Sequence, residues 1–147
     1  MKNIVVKKFP DCFPEGFRDK LLTLGAKEQQ LKVYRICKQG IIDEEAFVGT
    51  VEESLRKGKR RKFRNPDDVG NYSTSCHMDI SDSRKVLQHA LRNPPEAIIA
   101  EGTIQPEKGL SQITSERNPE QKDSHVDWWI YADAHPHLDF KAVNEDE

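Results

Sequence analysis

The chain has 147 residues and a formal net charge of -2, so neither a wholly basic nucleic-acid binder nor two self-standing domains fits its length and charge. Leu, Ile, Val and Phe make up 34 of the 147 residues, just above the level at which disorder is expected, which predicts a single domain over 1–147 with a modest core and long polar loops. No apolar run approaches a membrane span, and the start carries no signal-type apolar region. The three cysteines, at 12, 37 and 76, form no Cys-x-x-Cys, which argues against a disulfide framework or a zinc ribbon; with no export signal a reducing, cytoplasmic setting is expected, and with no apolar span no membrane partner.

The first predicted helix covers 14–24, with Pro14 in its first turn, Phe17, Leu21 and Leu24 at helical spacing, and Gly25 as the stop. Residues 31–37 alternate as a strand and place Leu31, Val33, Arg35 and Cys37 on one face. Asp43 is a cap for a second helix, in which Phe47, Val51 and Leu55 recur every four residues. A basic run follows at 56–64, then a short strand at 72–76. A third helix is expected with Asp82 or Ser83 as its cap and Val86, Leu87, Ala90 and Leu91 as its apolar stripe. A strand over 97–104, a polar connection over 105–124 and two closing strands at 128–131 and 138–143 complete the pattern. Helices gather early and strands late, so the predicted class is α+β: a mixed, mostly antiparallel sheet flanked by about three helices.

Arg35 stands on an otherwise apolar face and therefore needs a partner, either a structural one or an anion held in its guanidinium fork. Ser73 and Ser75 point to one face of their strand and Thr74 to the other; no Gly-x-Ser-x-Gly elbow surrounds them. In the 124–131 segment, His125, Asp127 and Trp129 share a face, and Trp128 points away from them. His125, His135 and His137, with Asp127 and Asp139, are a candidate metal cluster whose spacing matches no specific zinc motif. Arg56, Lys57, Lys59, Arg60, Arg61, Lys62 and Arg64 form a candidate phosphate-binding run in which Phe63 is the lone aromatic.

The succession Val33-Tyr-Arg-Ile36, Asn71-Tyr-Ser-Thr-Ser75 and His125-Val-Asp-Trp-Trp129, with a polar loop before the last, resembles that of an ADP-ribosyltransferase. The resemblance spans about 31–143, with aspartate where the family usually has glutamate. It implies that fold, NAD as substrate, and transfer of ADP-ribose to an unknown acceptor macromolecule, or a catalytically inactive relative of such enzymes. Arg35 would then hold the pyrophosphate, with Ser75 beside it. Asp127 would be the catalytic acid that meets the ribose, Ser73 would brace the site, and Tyr72 or Trp128 would stack on nicotinamide. The 105–124 loop would be a flap over the same cleft. Two alternatives stay open: a non-catalytic nucleic-acid or protein-binding module working through 56–64, and a metal-dependent enzyme using His125, His135 and His137.

Overall fold

The computed structural model describes residues 7–58, 63–89 and 93–143. Three α-helices, α1 (Phe17–Thr23), α2 (Thr50–Arg56) and α3 (Ile80–Leu87), accompany six strands. The strands are β1 (Leu31–Cys37), β2 (Thr74–His77), β3 (Ile98–Ile104), β4 (Gly109–Ile113), β5 (His125–Ile130) and β6 (Phe140–Ala142). They form one sheet in the order β4-β5-β2-β1-β3-β6, and every pair is antiparallel. The α+β class and the three helices match the sequence reading; the sheet is antiparallel throughout rather than mixed.

The middle of the sheet is its least paired place. Along β1 and β3, seven residues pair from Leu31↔Ile104 to Cys37↔Ile98, whereas β1 and β2 share the single pair Tyr34↔His77. Next to that pair the Arg35 side chain links β1 to β2. Its Nε donates to the Ala46 carbonyl at 3.0 Å and its Nη1 to the Ser75 carbonyl at 2.9 Å.

Each face of the sheet carries its own core. One packs Val33, Cys37, Cys76, Ala100, Ile104, Val126 and Trp128 around Phe47. The other packs Leu110 and Trp129 against Phe17 and Leu21 of α1, with Ala26 and Val69. The double cover explains why Trp128 and Trp129 are adjacent in sequence and both fully buried.

The structure corrects several expected boundaries. The helix expected from Asp43 is broken in two. Asp43 caps a 3-10 turn, Glu44–Phe47, by accepting from the Ala46 N–H at 3.1 Å, and α2 begins only at Thr50. The break lies where the chain runs against the start of β2, so close that a Cβ on Gly49 would stand 2.5 Å from the Tyr72 carbonyl oxygen. Helix α3 starts earlier than expected, because Asp79 rather than Asp82 or Ser83 accepts from the Ser81 N–H. The connection at 105–124 is not a free flap: it contains edge strand β4, paired with β5 from Gly109↔Ile130 to Ile113↔Val126. Among the described residues no helix is long and apolar enough to cross a membrane.

Candidate functional site

The structure brings Ser73 and Asp127 together. Register sets Ser75 opposite Asp127 across β2 and β5, and just before β2 the Ser73 hydroxyl meets Asp127 Oδ1 at 2.6 Å. Asp127 Oδ2 accepts from Thr114 Oγ1 at 2.9 Å and from Arg117 Nη2 at 2.8 Å. Because Thr114 spends its one proton on the carboxylate, its 2.6 Å contact with His125 Nδ1 requires the imidazole to donate. Arg117 also donates to Gln112 Oε1 at 2.7 Å and lies over the Trp129 ring, 5.8 Å from its centroid. Asp127 is 2% exposed and Ser73 1%. The charge is thus paired and enclosed, an arrangement that fixes the 114–117 turn to the sheet and leaves the carboxylate no open approach.

Arg35 lies on the other face, with Val33 and Cys37, while Asp127 lies on the face with Trp129. The convergence of Arg35, Ser73 and Asp127 on one cofactor is therefore corrected: Ser73 and Asp127 meet, and the sheet separates them from the Arg35 guanidinium. Trp128 is corrected as well. It is fully buried, with Phe47 and Phe140 against it at ring-centroid distances of 6.3 and 6.0 Å, and offers no face for stacking.

A different feature is open. A groove of about 1040 Å³ runs between the N-terminal segment 7–13, the 44–56 region and the turn 130–136. Thr74, Phe47 and Ile130 contribute to it from the Arg35 face of the sheet, and Tyr72 contributes from the turn that leads into β2. Tyr72 is supported by Phe13 and Phe17, at ring-centroid distances of 5.5 and 5.1 Å. Lys7, Lys8 and Arg56 supply positive charge to the groove, and Asp11, Glu44, Glu52, Glu107 and Asp133 supply negative charge. On its 130–136 wall, Asp133 and His135 have φ values of 61° and 52°, in the left-handed region that non-glycine residues seldom occupy. His135 Nδ1 is hydrogen-bonded to Glu44, joining two walls of the groove.

Arg35 acts on this groove from below. Its two acceptors, Ala46 and Ser75, immediately precede and follow the groove residues Phe47 and Thr74. Thr74 Oγ1 in turn donates to the Phe47 carbonyl at 2.6 Å. Arg35 and Thr74 together tie the 3-10 turn to β2.

The remaining candidates separate. His125 lies beside His77, with ring centroids 5.6 Å apart, whereas His135 and His137 lie together in the turn before β6. Among the described residues no group of three or more His, Cys, Asp or Glu side chains is placed to hold a metal ion. In the basic run, Arg56 is paired with Glu45 and Glu52, and Lys57 with Glu53 at 2.9 Å. Lys59, Arg60, Arg61 and Lys62 lie outside the described residues. Sequence reasoning missed Arg117, Thr114 and Gln112, which surround Asp127, and the groove residues Cys12, Glu52 and Glu44. Arg117 gave no sequence signal, because it follows edge strand β4, which the sequence reading does not find.

Compared with known proteins, the chain matches no family model, no curated relative and no solved structure.

Proposed function

We propose that this is an NAD-binding, ADP-ribosyltransferase-like protein whose dinucleotide lies in the groove beside Tyr72–Thr74. The observation that carries the reading is the groove itself, at the upper end of the roughly 300–1,000 Å³ typical of small-molecule sites and lined by the segment that resembles the family's Ser-Thr-Ser element. Its chemistry suits a dinucleotide. Tyr72, Phe9 and Phe13 offer ring surface, Lys7 and Lys8 offer charge to a pyrophosphate, and the carboxylates offer acceptors to ribose hydroxyls.

In this reading Arg35 is a positioning residue rather than a phosphate clamp, and Ser73 and Asp127 hold β2 and β5 in place from the opposite face. Group transfer would break the bond between ribose C1′ and the nicotinamide nitrogen. The electron pair leaves with neutral nicotinamide. The cationic sugar is then attacked at C1′ by water or by an acceptor nucleophile, which loses its proton.

The enclosure of Asp127 favours a second reading, that the protein binds NAD without turning it over. Thermal unfolding with and without NAD tests binding, and nicotinamide release tests turnover. A rise in melting temperature with NAD that is lost in Tyr72→Ala supports the groove. No rise at millimolar NAD contradicts it.

A further inference from the structure

Every residue from 7 to 13 lines the groove, so one of its walls is a single stretch of chain that belongs to no helix or strand. Among the described residues, one backbone hydrogen bond ties this stretch to the 130–136 turn, from the Ala132 N–H to the Lys8 carbonyl at 2.7 Å. The bond from the Phe13 N–H to the Pro10 carbonyl is local to it. Its apolar side chains sit over the second core rather than in it. Phe9 and Phe13 are half-buried, whereas Phe17, Leu21, Leu110 and Trp129 are buried.

The stretch joins α1 through Gly16, whose φ of 72° is left-handed and whose Cβ position faces open space. Glycine enters that region at no steric cost, and nothing packed against this one resists a change of φ. Arg18, two residues on, holds the stretch down. Its guanidinium lies over the Phe9 ring, 5.2 Å from the centroid, and over the Tyr131 ring, 5.1 Å from the centroid, and its Nη2 donates to the Lys7 carbonyl. Phe9 belongs to the stretch and Tyr131 to the facing turn, so one side chain of α1 fastens both. Contacts of this kind are individually weak, which lets the fastening open without the rest of the fold.

We propose that residues 7–13 are a lid on the groove, hinged at Gly16 and fastened by Arg18, that opens to admit a ligand and closes over it. Closed, the lid sets Phe13 against Tyr72, at a ring-centroid distance of 5.5 Å, and completes the aromatic side of the groove. The lid goes beyond the NAD reading; only the NAD arm of its test rests on that reading.

Amide hydrogen exchange tests the lid, because the Ala132 N–H is covered by the Lys8 carbonyl and reports each opening. In the wild type, Ala132 is expected to exchange at least about tenfold faster than the amides that β1 and β3 share, which wait for global unfolding. Arg18→Gln should speed Ala132 by about a further fivefold and leave β1 and β3 unchanged. Saturating NAD should slow Ala132 in the wild type. Exchange at Ala132 as slow as in the sheet overturns the lid, since the stretch then moves only when the whole fold does. An Arg18→Gln variant that speeds all of these amides alike, or none, makes Arg18 a merely structural residue and overturns the proposal. So does an NAD-induced thermal shift with Ala132 exchange unchanged. The absence of both NAD effects overturns the NAD reading and leaves the lid to the other two results.

Discussion

Arg117 and Asp127 form an ion pair between a half-buried guanidinium and a buried carboxylate, Nη2 to Oδ2 at 2.8 Å, that joins the turn after β4 to the centre of β5. The pair is completed by Ser73 and Thr114, so the carboxylate is satisfied at both oxygens. Asp127→Ala would leave the part-buried Arg117 with only the more distant and exposed Asp68, at 3.9 Å, as a counter-charge. The expected loss is about 3–5 kcal/mol of unfolding free energy by urea titration, the scale for breaking one partner of a buried pair. A loss under about 1 kcal/mol, the scale of an exposed pair, would contradict the brace.

Arg35→Met removes the donor to two backbone carbonyls while keeping much of the side chain's length. Its expected cost is about 1 kcal/mol, the net worth of a hydrogen bond, rising towards about 3 kcal/mol to the extent that the half-buried acceptors stay unpaired. Because Ala46 and Ser75 flank the groove residues Phe47 and Thr74, NAD affinity should fall as well. A phosphate clamp would instead lose NAD affinity with little loss of stability.

His77 makes stability depend on pH. Burial, then the neighbouring His125, push its pKa below the ordinary 6.5, with Asp123 and Asp82 opposing. Its Nδ1 lies 3.1 Å from Ser83 Oγ on α3, and its Nε2 lies 3.7 Å from Asp123 Oδ2. A depressed histidine pKa means that the unfolded chain takes the proton first as pH falls. Stability is therefore intact above the ordinary value and declines below it, until the folded form also protonates. The urea midpoint should drop between about pH 7.5 and about pH 5.5, and His77→Gln should flatten that slope. An unchanged slope in the variant would assign the pH dependence elsewhere.

The cysteines report on the groove. Burial, then Glu52, raise the pKa of the Cys12 thiol; burial pushes Cys37 up to about 11 and Cys76 up to about 12. Cys37 and Cys76 are also fully enclosed, so alkylation of the folded protein should mark Cys12 alone. Glu52→Gln removes a charge that holds the thiol protonated, so it should speed alkylation of Cys12 at mildly alkaline pH. An unchanged rate would mean that Glu52 does not reach Cys12.

The sequence disclosed those parts of the fold whose signal is local. The alternation of 31–37 identifies β1, the apolar run that opens 97–104 identifies β3, and the alternating faces of 124–131 identify β5. Edge strand β4 was hidden because Gly109, Ser111 and Gln112 are poor strand formers; it is held by pairing with β5 and by Gln112 Nε2 donating to the Leu24 carbonyl at 2.7 Å. That Ser73 and Asp127 lie near each other follows from the resemblance, which puts both at one site; their direct hydrogen bond is a finding of the structure. That the sheet would separate both from Arg35 was not legible, because it depends on which core each strand face meets. The groove was least legible of all: its walls come from residues 7–13, 44–56 and 130–136, and no short window of sequence holds them together.

The most direct measurement of NAD seated in the groove is the rate of Cys12 alkylation at increasing NAD concentration, read by intact mass. Cys12 lines the groove and is only partly buried, so a bound dinucleotide should shield it. The rate is expected to fall saturably with NAD, with the same midpoint as the thermal shift, and to stay constant in Tyr72→Ala. A wild-type rate that does not change up to millimolar NAD would contradict an NAD site in this groove.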